Sequence, residues 1–244
     1  MNPEMLHSVL FFVCFFLAGL YTGISGGGAG MLIATFGSLF LDLRESIVLA
    51  GFVGITAQMT TAVRLRRFVV WPMVAKYALP GIIGGALGGM LLFAIPAHFA
   101  RILLGLSCIA FVLLRTRTKR SPPFLRKTGI LMTLGFCNGF LAGLTRGGVL
   151  VRSSVLLALD FSGNAFLATS AAMACVQSTG QSSVYLYHFA QTNRTPFLLL
   201  ALIVAATPLG TIAGHTCAHH ISKKAFERMQ VILLIVGSLY LLFF

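Results

Sequence analysis

Gly23-Ile24-Ser25-Gly26-Gly27-Gly28-Ala29-Gly30 and, about 120 residues further on, Gly143-Leu144-Thr145-Arg146-Gly147-Gly148 are the two stretches on which the fold of this chain turns. Each follows an apolar run long enough to cross a bilayer. Each precedes a second apolar run, 31–41 and 149–159, of about eleven residues. A spanning helix needs roughly 20 residues for a 30 Å hydrocarbon core. The short runs therefore read as half-helices that dip beside the preceding span or continue it past a glycine break. Backbone that leaves the helix at membrane depth is tolerated only where it is buried in protein or lines a cavity.

The rest of the chain agrees with a membrane reading. Its 244 residues are 57% hydrophobic and 9% charged, with a mean hydropathy of +0.93, which no soluble domain of this size carries. Hydropathy gives spans near 5–24, 47–63, 71–95, 99–114, 128–144, 165–187, 195–216 and 226–243. The first run has neither a preceding basic residue nor a small-residue cleavage site, and reads as a retained helix. The expected fold is an all-α integral membrane protein of about eight transmembrane helices in two related four-helix repeats, each with a glycine-broken half-helix. The first repeat covers 1–115, a basic linker 116–127, and the second repeat 128–244.

The repeats are legible residue by residue. Gly19, Gly23, Gly27 and Gly28 fall on Gly139, Gly143, Gly147 and Gly148, and Pro80 falls near Pro208. Asp42 falls near Asp160, and the Gly84/Gly88 pair falls on Gly210/Gly214. Such duplications place a binding site between the halves.

The net charge of +13 in a water-soluble chain would point to nucleic acid; here it reports topology, and no nucleic-acid partner is expected. Arg64, Arg66 and Arg67, then Arg115 to Lys127, and with them Asn193-Arg194, are expected in the cytoplasm. That leaves 94–98 and 219–224 outside, against the charge of Lys223 and Lys224, and both termini cytoplasmic. If the short segments return to the side they came from, the halves run parallel.

The glycine runs expose backbone N–H groups ahead of each short helix, and a helix N-terminus with open N–H groups attracts anions. Gly26, Gly27, Gly28, Gly147 and Gly148 are thus expected at an anion site. Arg146 stands where the first half has Gly26, and Arg152 follows six residues later. A cation at bilayer depth costs several kcal/mol unless partnered. Five acids cannot pair eighteen cations, so an anionic substrate is the missing partner. Six helical residues turn about 240°, so the two arginines are expected to face differently, with Arg146 the better ligand. Ser170, Gln177 and Gln181 share a face, with Ser178 beside them; Gly54, Gln58 and Thr61 form a weaker counterpart. Asp160 and His188 are the expected proton-coupling groups.

His215, Cys217, His219 and His220 sit beside Lys223 and Lys224, which would repel a cation, so no metal is expected. No serine or cysteine has a histidine and an acid in a catalytic arrangement; the chain reads as no enzyme, with no cofactor. Cys14, Cys108, Cys137, Cys175 and Cys217 form no Cys-x-x-Cys pair and read as packing residues. That disfavours a thiol-redox protein, and a non-transporting scaffold would leave Arg146 without a purpose.

Across nearly its whole length the chain resembles the sulfite exporter TauE/SafE family of bacterial permeases. The resemblance rests on Gly26-Gly27-Gly28 before a short apolar segment, the echo at Gly147-Gly148, the Gly84/Gly88 and Gly210/Gly214 pairs, and eight spans in two repeats. It departs at 31–35, which lacks the proline usual there, and at Arg146, which interrupts the second run. The resemblance implies an inner-membrane exporter of sulfite or an organosulfonate. Its partners would be a small anionic substrate and membrane lipid, with a homodimer left open.

Overall fold

The computed structural model describes residues 3–25, 27–38, 41–106, 127–192 and 196–217, and among these every regular segment is helical. In chain order they are α1 (Pro3–Ser25), α2 (Ala29–Gly37), α3 (Leu43–Arg64), α4 (Trp71–Ala94), α5 (Ala97–Leu106), α6 (Thr128–Thr145), α7 (Gly148–Ala158), α8 (Gly163–Thr192) and α9 (Pro196–Cys217). Four described segments, α3, α4, α6 and Leu200–Cys217 of α9, are long and apolar enough to cross a membrane. α8 has 30 residues but buries Ser170, Gln177, Ser178 and Gln181, so its polar interior face lowers its hydropathy. The expected span at 226–243 and the linker 116–127 lie outside the described residues.

The outer surface is the inverse of a soluble protein's. Leu79, Ile83, Leu87 and Met90 form an exposed stripe on α4, as do Val9, Val13 and Leu17 on α1. Water would not tolerate such patches, and acyl chains do. Inside, small residues bring backbones together. A side chain at Gly84 or Gly88 would strike the carbonyls of Phe136 or Phe140 on α6, and one at Gly210 or Gly214 those of Phe16 or Leu20 on α1. The cysteines do not pack inside as expected: Cys14, Cys137 and Cys217 are exposed and Cys175 is half-buried. A thiol is apolar enough for Cys14 and Cys137, within α1 and α6, to face lipid, whereas Cys217 is the last residue of α9. Cys108 lies outside the described residues.

Helix directions follow from the contacts. Gly19 lies against Thr207 and Gly23 against Thr211, so α1 and α9 are parallel. Thr61 Oγ1 lies 3.2 Å from His215 Nε2, and Ile203 shares a buried cluster with Ile47 and Val53 of α3, so α3 runs with them. Arg44 Nη2 donates to the Ile95 carbonyl at 2.7 Å, tying the start of α3 to the end of α4. Gly81 faces Gly139 and Gln177, Gly85 faces Gly143, and Gly89 faces Val184, so α4, α6 and α8 run together, opposite to α1, α3 and α9.

The short helices do not return to the side they came from. Down α2, Gly27 faces Gln58, Gly30 faces the Ala50 carbonyl and Gly37 faces Ser46, so α2 runs antiparallel to α3 and carries the chain back across the bundle. α7 does the same: Gly148 lies against Asn138, and Leu156 joins the buried cluster that holds Leu131 near the start of α6. At 1.5 Å per residue, α2 and α7 span only roughly 14 and 17 Å, and the broken backbone beside them covers the remainder.

The expected topology can be compared at three helix ends. The end of α9 shares the Arg64 end of the bundle, so the chain leaves Cys217 on the same side as Arg64–Arg67; Lys223 and Lys224 lie outside the described residues. The end of α8 lies with the end of α4, away from Arg64, where His188 stacks on Phe93 at 4.0 Å; Asn193 and Arg194 lie outside the described residues. The Pro3 end of α1 likewise lies away from Arg64, so the N-terminal helix does not begin on the side of the basic turn. Counting only full-length spans missed the two crossings that α2 and α7 complete.

Candidate functional site

Both glycine breaks are real, and they are built differently. Gly27 (φ 151°) and Gly28 (φ 94°) hold left-handed conformations that a side chain would strain, and they deliver α2 beside Gln58. In the second half the left-handed residue is Arg146 itself (φ 61°), which ends α6 with its N–H bonded to the Ala142 carbonyl at 3.2 Å. A non-glycine residue there costs on the order of 1–2 kcal/mol. The strain turns the Arg146 side chain away from α6 and into the space between the halves, where it reaches Gly30 of α2 and Gly54 of α3.

That space is a cavity of about 50 Å³, walled by Thr22, Gly28, Gly30 and Met31, by Gly54 and Gln58, by Ala142, Arg146, Val149 and Arg152, and by Ala174, Gln177, Ser178 and Gln181. A cavity needs roughly 10–15 Å³ to admit one water, so this one is large enough to take up a small polar group. Two guanidiniums enter it, and no acid is among its described lining residues.

Arg146 Nε and Nη1 are buried without a hydrogen-bond partner. The nearby Tyr185 hydroxyl donates to the Gly143 carbonyl and so gives the guanidinium no countercharge. Arg152, 6% exposed, donates from Nε to Ser170 Oγ at 2.9 Å. Gln181 Nε2 donates to Ser178 Oγ at 3.2 Å, while the Gln181 and Gln58 Oε1 atoms are buried and unpaired. Rotating either amide by half a turn presents an N–H donor instead.

The expected site residues divide accordingly. Gly28, Gln58, Arg146, Arg152, Gln177 and Gln181 line one cavity. Gly27 lies behind it, against Gln58 and Val149, and Gly26 lies outside the described residues. The expectation that the arginines face apart is overturned. A helical projection assumes an unbroken helix, whereas Arg146 sits in a left-handed turn before α7 begins.

Ser170 does not line the cavity; it holds Arg152. Gln177 is at the wall, but its amide is engaged by Asn138 Nδ2 and by the Gly135 carbonyl, so it acts as a brace between α8 and α6. Gly148 packs against Asn138 and Ala142 of α6, and neither it nor Gly147 is in the wall. Asp160 occupies an exposed left-handed turn after α7, and His188 stacks on Phe93 near the end of α8; neither is at the cavity.

Sequence reasoning missed Thr22, Gly30, Met31, Ala142, Val149 and Ala174 in the wall, and Asn138 and Tyr185 behind it. Asn138 had a signal, an amide in an apolar span; the small and apolar wall residues had none. Among the described residues no group of three or more metal-ligating side chains occurs; His219 and His220 lie outside them.

No curated protein and no solved structure matches the chain. A family model does: the one described as sulfite exporter TauE/SafE matches residues 11–241, nearly the whole length. The apolar exterior, the helices that cross the bundle and the buried cationic cavity fit that match, and the chain belongs to the sulfite exporter TauE/SafE family, membrane transporters of sulfur anions.

Proposed function

We propose that the chain exports a small sulfur oxyanion, sulfite or an organosulfonate, by alternating access between two inverted halves, 1–115 and 128–244, joined by the cytoplasmic linker 116–127 in a bacterial inner membrane. The observation that carries the substrate class is the Arg146 guanidinium, whose Nε and Nη1 are buried without a partner, in a cavity that also receives Arg152 and whose described lining has no acid. An anion between the two cations supplies the missing counter-charge and accepts from Arg146 Nε and Nη1, from Arg152, and from the Gln58 and Gln181 amides.

Sulfite and an organosulfonate both carry the sulfur-oxygen head that such a cavity would hold, and the panel below separates them.

The inverted arrangement is supported by pairs of equivalent contacts. α1 packs on α9 as α6 packs on α4, each first helix against the third long helix of the other half, in opposite directions across the membrane. Rocking about these exchanged pairs opens the cavity to either side. With Arg64 cytoplasmic, a negative interior drives an anion outward by about 2.3 kcal/mol per charge per 100 mV.

The test is thermal stability of the purified protein against sulfite, sulfate, thiosulfate, sulfoacetate, taurine and simple carboxylates, with Arg146→Ala in parallel. Stabilisation by sulfite or by one of the sulfonates, lost in the variant, is expected. No stabilisation by any anion sinks the reading and leaves a non-transporting scaffold.

A further inference from the structure

The seams that join the two halves are closed on one side and open on the other. Where α4 meets α8, Gly180 lies directly against the Ile82 backbone, so the helices touch along their length. The counterpart seam joins α3 to α9, and the residue corresponding to Gly180 is Thr60. Thr60 and Thr56 bond back to their own helix, to the Thr56 and Phe52 carbonyls, and their bulk holds α9 away. The result is a crevice of about 600 Å³ walled by Met59, Thr60, Val63, Val204, Pro208 and Ile212, with Arg64 at one end.

We propose that this crevice holds an anionic phospholipid, one acyl chain between α3 and α9 and the phosphate against Arg64. The walls are apolar, because the threonine hydroxyls are already satisfied within α3. From Thr56 to Arg64 is about 12 Å along the helix, close to the half-thickness of a 30 Å core, so a chain lying in the crevice belongs to one leaflet.

The Arg64 end is at headgroup level. Arg66 and Arg67 are exposed there, and Phe68 and Trp71 are 48% and 60% exposed, as interfacial aromatic anchors are. The one charge among the described lining residues is positive, so the site selects by headgroup charge. Bound at the seam between the halves, such a lipid occupies space that must change when they move.

The test is native mass spectrometry of the full-length protein purified with equal amounts of phosphatidylglycerol and phosphatidylethanolamine. The wild type is expected to retain phosphatidylglycerol preferentially. Arg64→Gln is expected to lower the retained ratio about fivefold, the effect of one cation at an anionic lipid surface, while keeping lipid bound. Thr60→Trp, or Val204→Trp from the opposite wall, fills the crevice and is expected to abolish retention of both lipids. An unchanged ratio in Arg64→Gln, or undiminished retention in both filled variants, overturns the proposal and moves lipid binding elsewhere. These readouts need no anion, so they stand or fall separately from the transport reading.

Discussion

Gly54→Ala separates the stability of the fold from the affinity of the site, because the same methyl group affects them in opposite directions. A Cβ at position 54 falls 2.5 Å from Arg146 Nη2, about 1 Å inside ordinary contact, and meets no backbone atom. The guanidinium must withdraw, and a long side chain can do so without moving a helix. Alanine in place of a helical glycine itself stabilises by roughly 0.5–1 kcal/mol. A hydrogen bond to a charged group is worth about 1.5–3 kcal/mol. If displacement removes one such bond to the anion, affinity falls roughly 10- to 150-fold. Calorimetric titration of sulfite into the variant, beside its melting temperature without anion, reads both. The expected pair is an unchanged or raised melting temperature and weakened binding. Wild-type affinity in a variant that melts no lower would refute the placement of Arg146 as an anion ligand.

Two further outcomes follow from the packing and the helix directions. Gly139→Val drives a side chain into the Gly81 backbone where α6 meets α4, whereas Gly129 has nothing within 4 Å. The first substitution should cost about 1–3 kcal/mol or more by overpacking and lower the melting temperature, and Gly129→Val should not. Impermeant maleimide should label the exposed Cys217 and an Arg67→Cys variant from one face of the membrane and a His98→Cys variant from the other. Labelling of Cys217 together with His98→Cys would contradict the crossings of α2 and α7.

The glycine breaks and the two short helices were legible because a bilayer fixes helix length so tightly that eleven apolar residues cannot be an ordinary span. Arg146, Gln58 and Gln181 were legible for the complementary reason, that polar atoms in hydrocarbon need a purpose. Direction was not legible. A segment such as 149–159 has the same composition whether it returns or continues, and only its packing against Asn138 and Leu131 shows that α7 runs on. Charge counting then misplaced the ends of α8 and α9, because the one unnoticed crossing of α7 reverses every assignment after it, as that of α2 reverses the start of α1. Gln177 resembles Gln181 in sequence, yet Asn138 and the Gly135 carbonyl turn it into a brace. The wall residues Ala142, Ala174 and Gly30 are visible only as absences of side chain, which no periodicity marks.

Efflux of radiolabelled sulfite from proteoliposomes held at an inside-negative potential, with wild type and Arg146→Ala compared at equal reconstitution, tests the central claim most directly. Wild-type vesicles should lose sulfite at a rate that rises with the imposed voltage, and Arg146→Ala vesicles should not lose it above protein-free controls. Efflux from Arg146→Ala at the wild-type rate would contradict the account, because the buried cation would then play no part in carrying the anion.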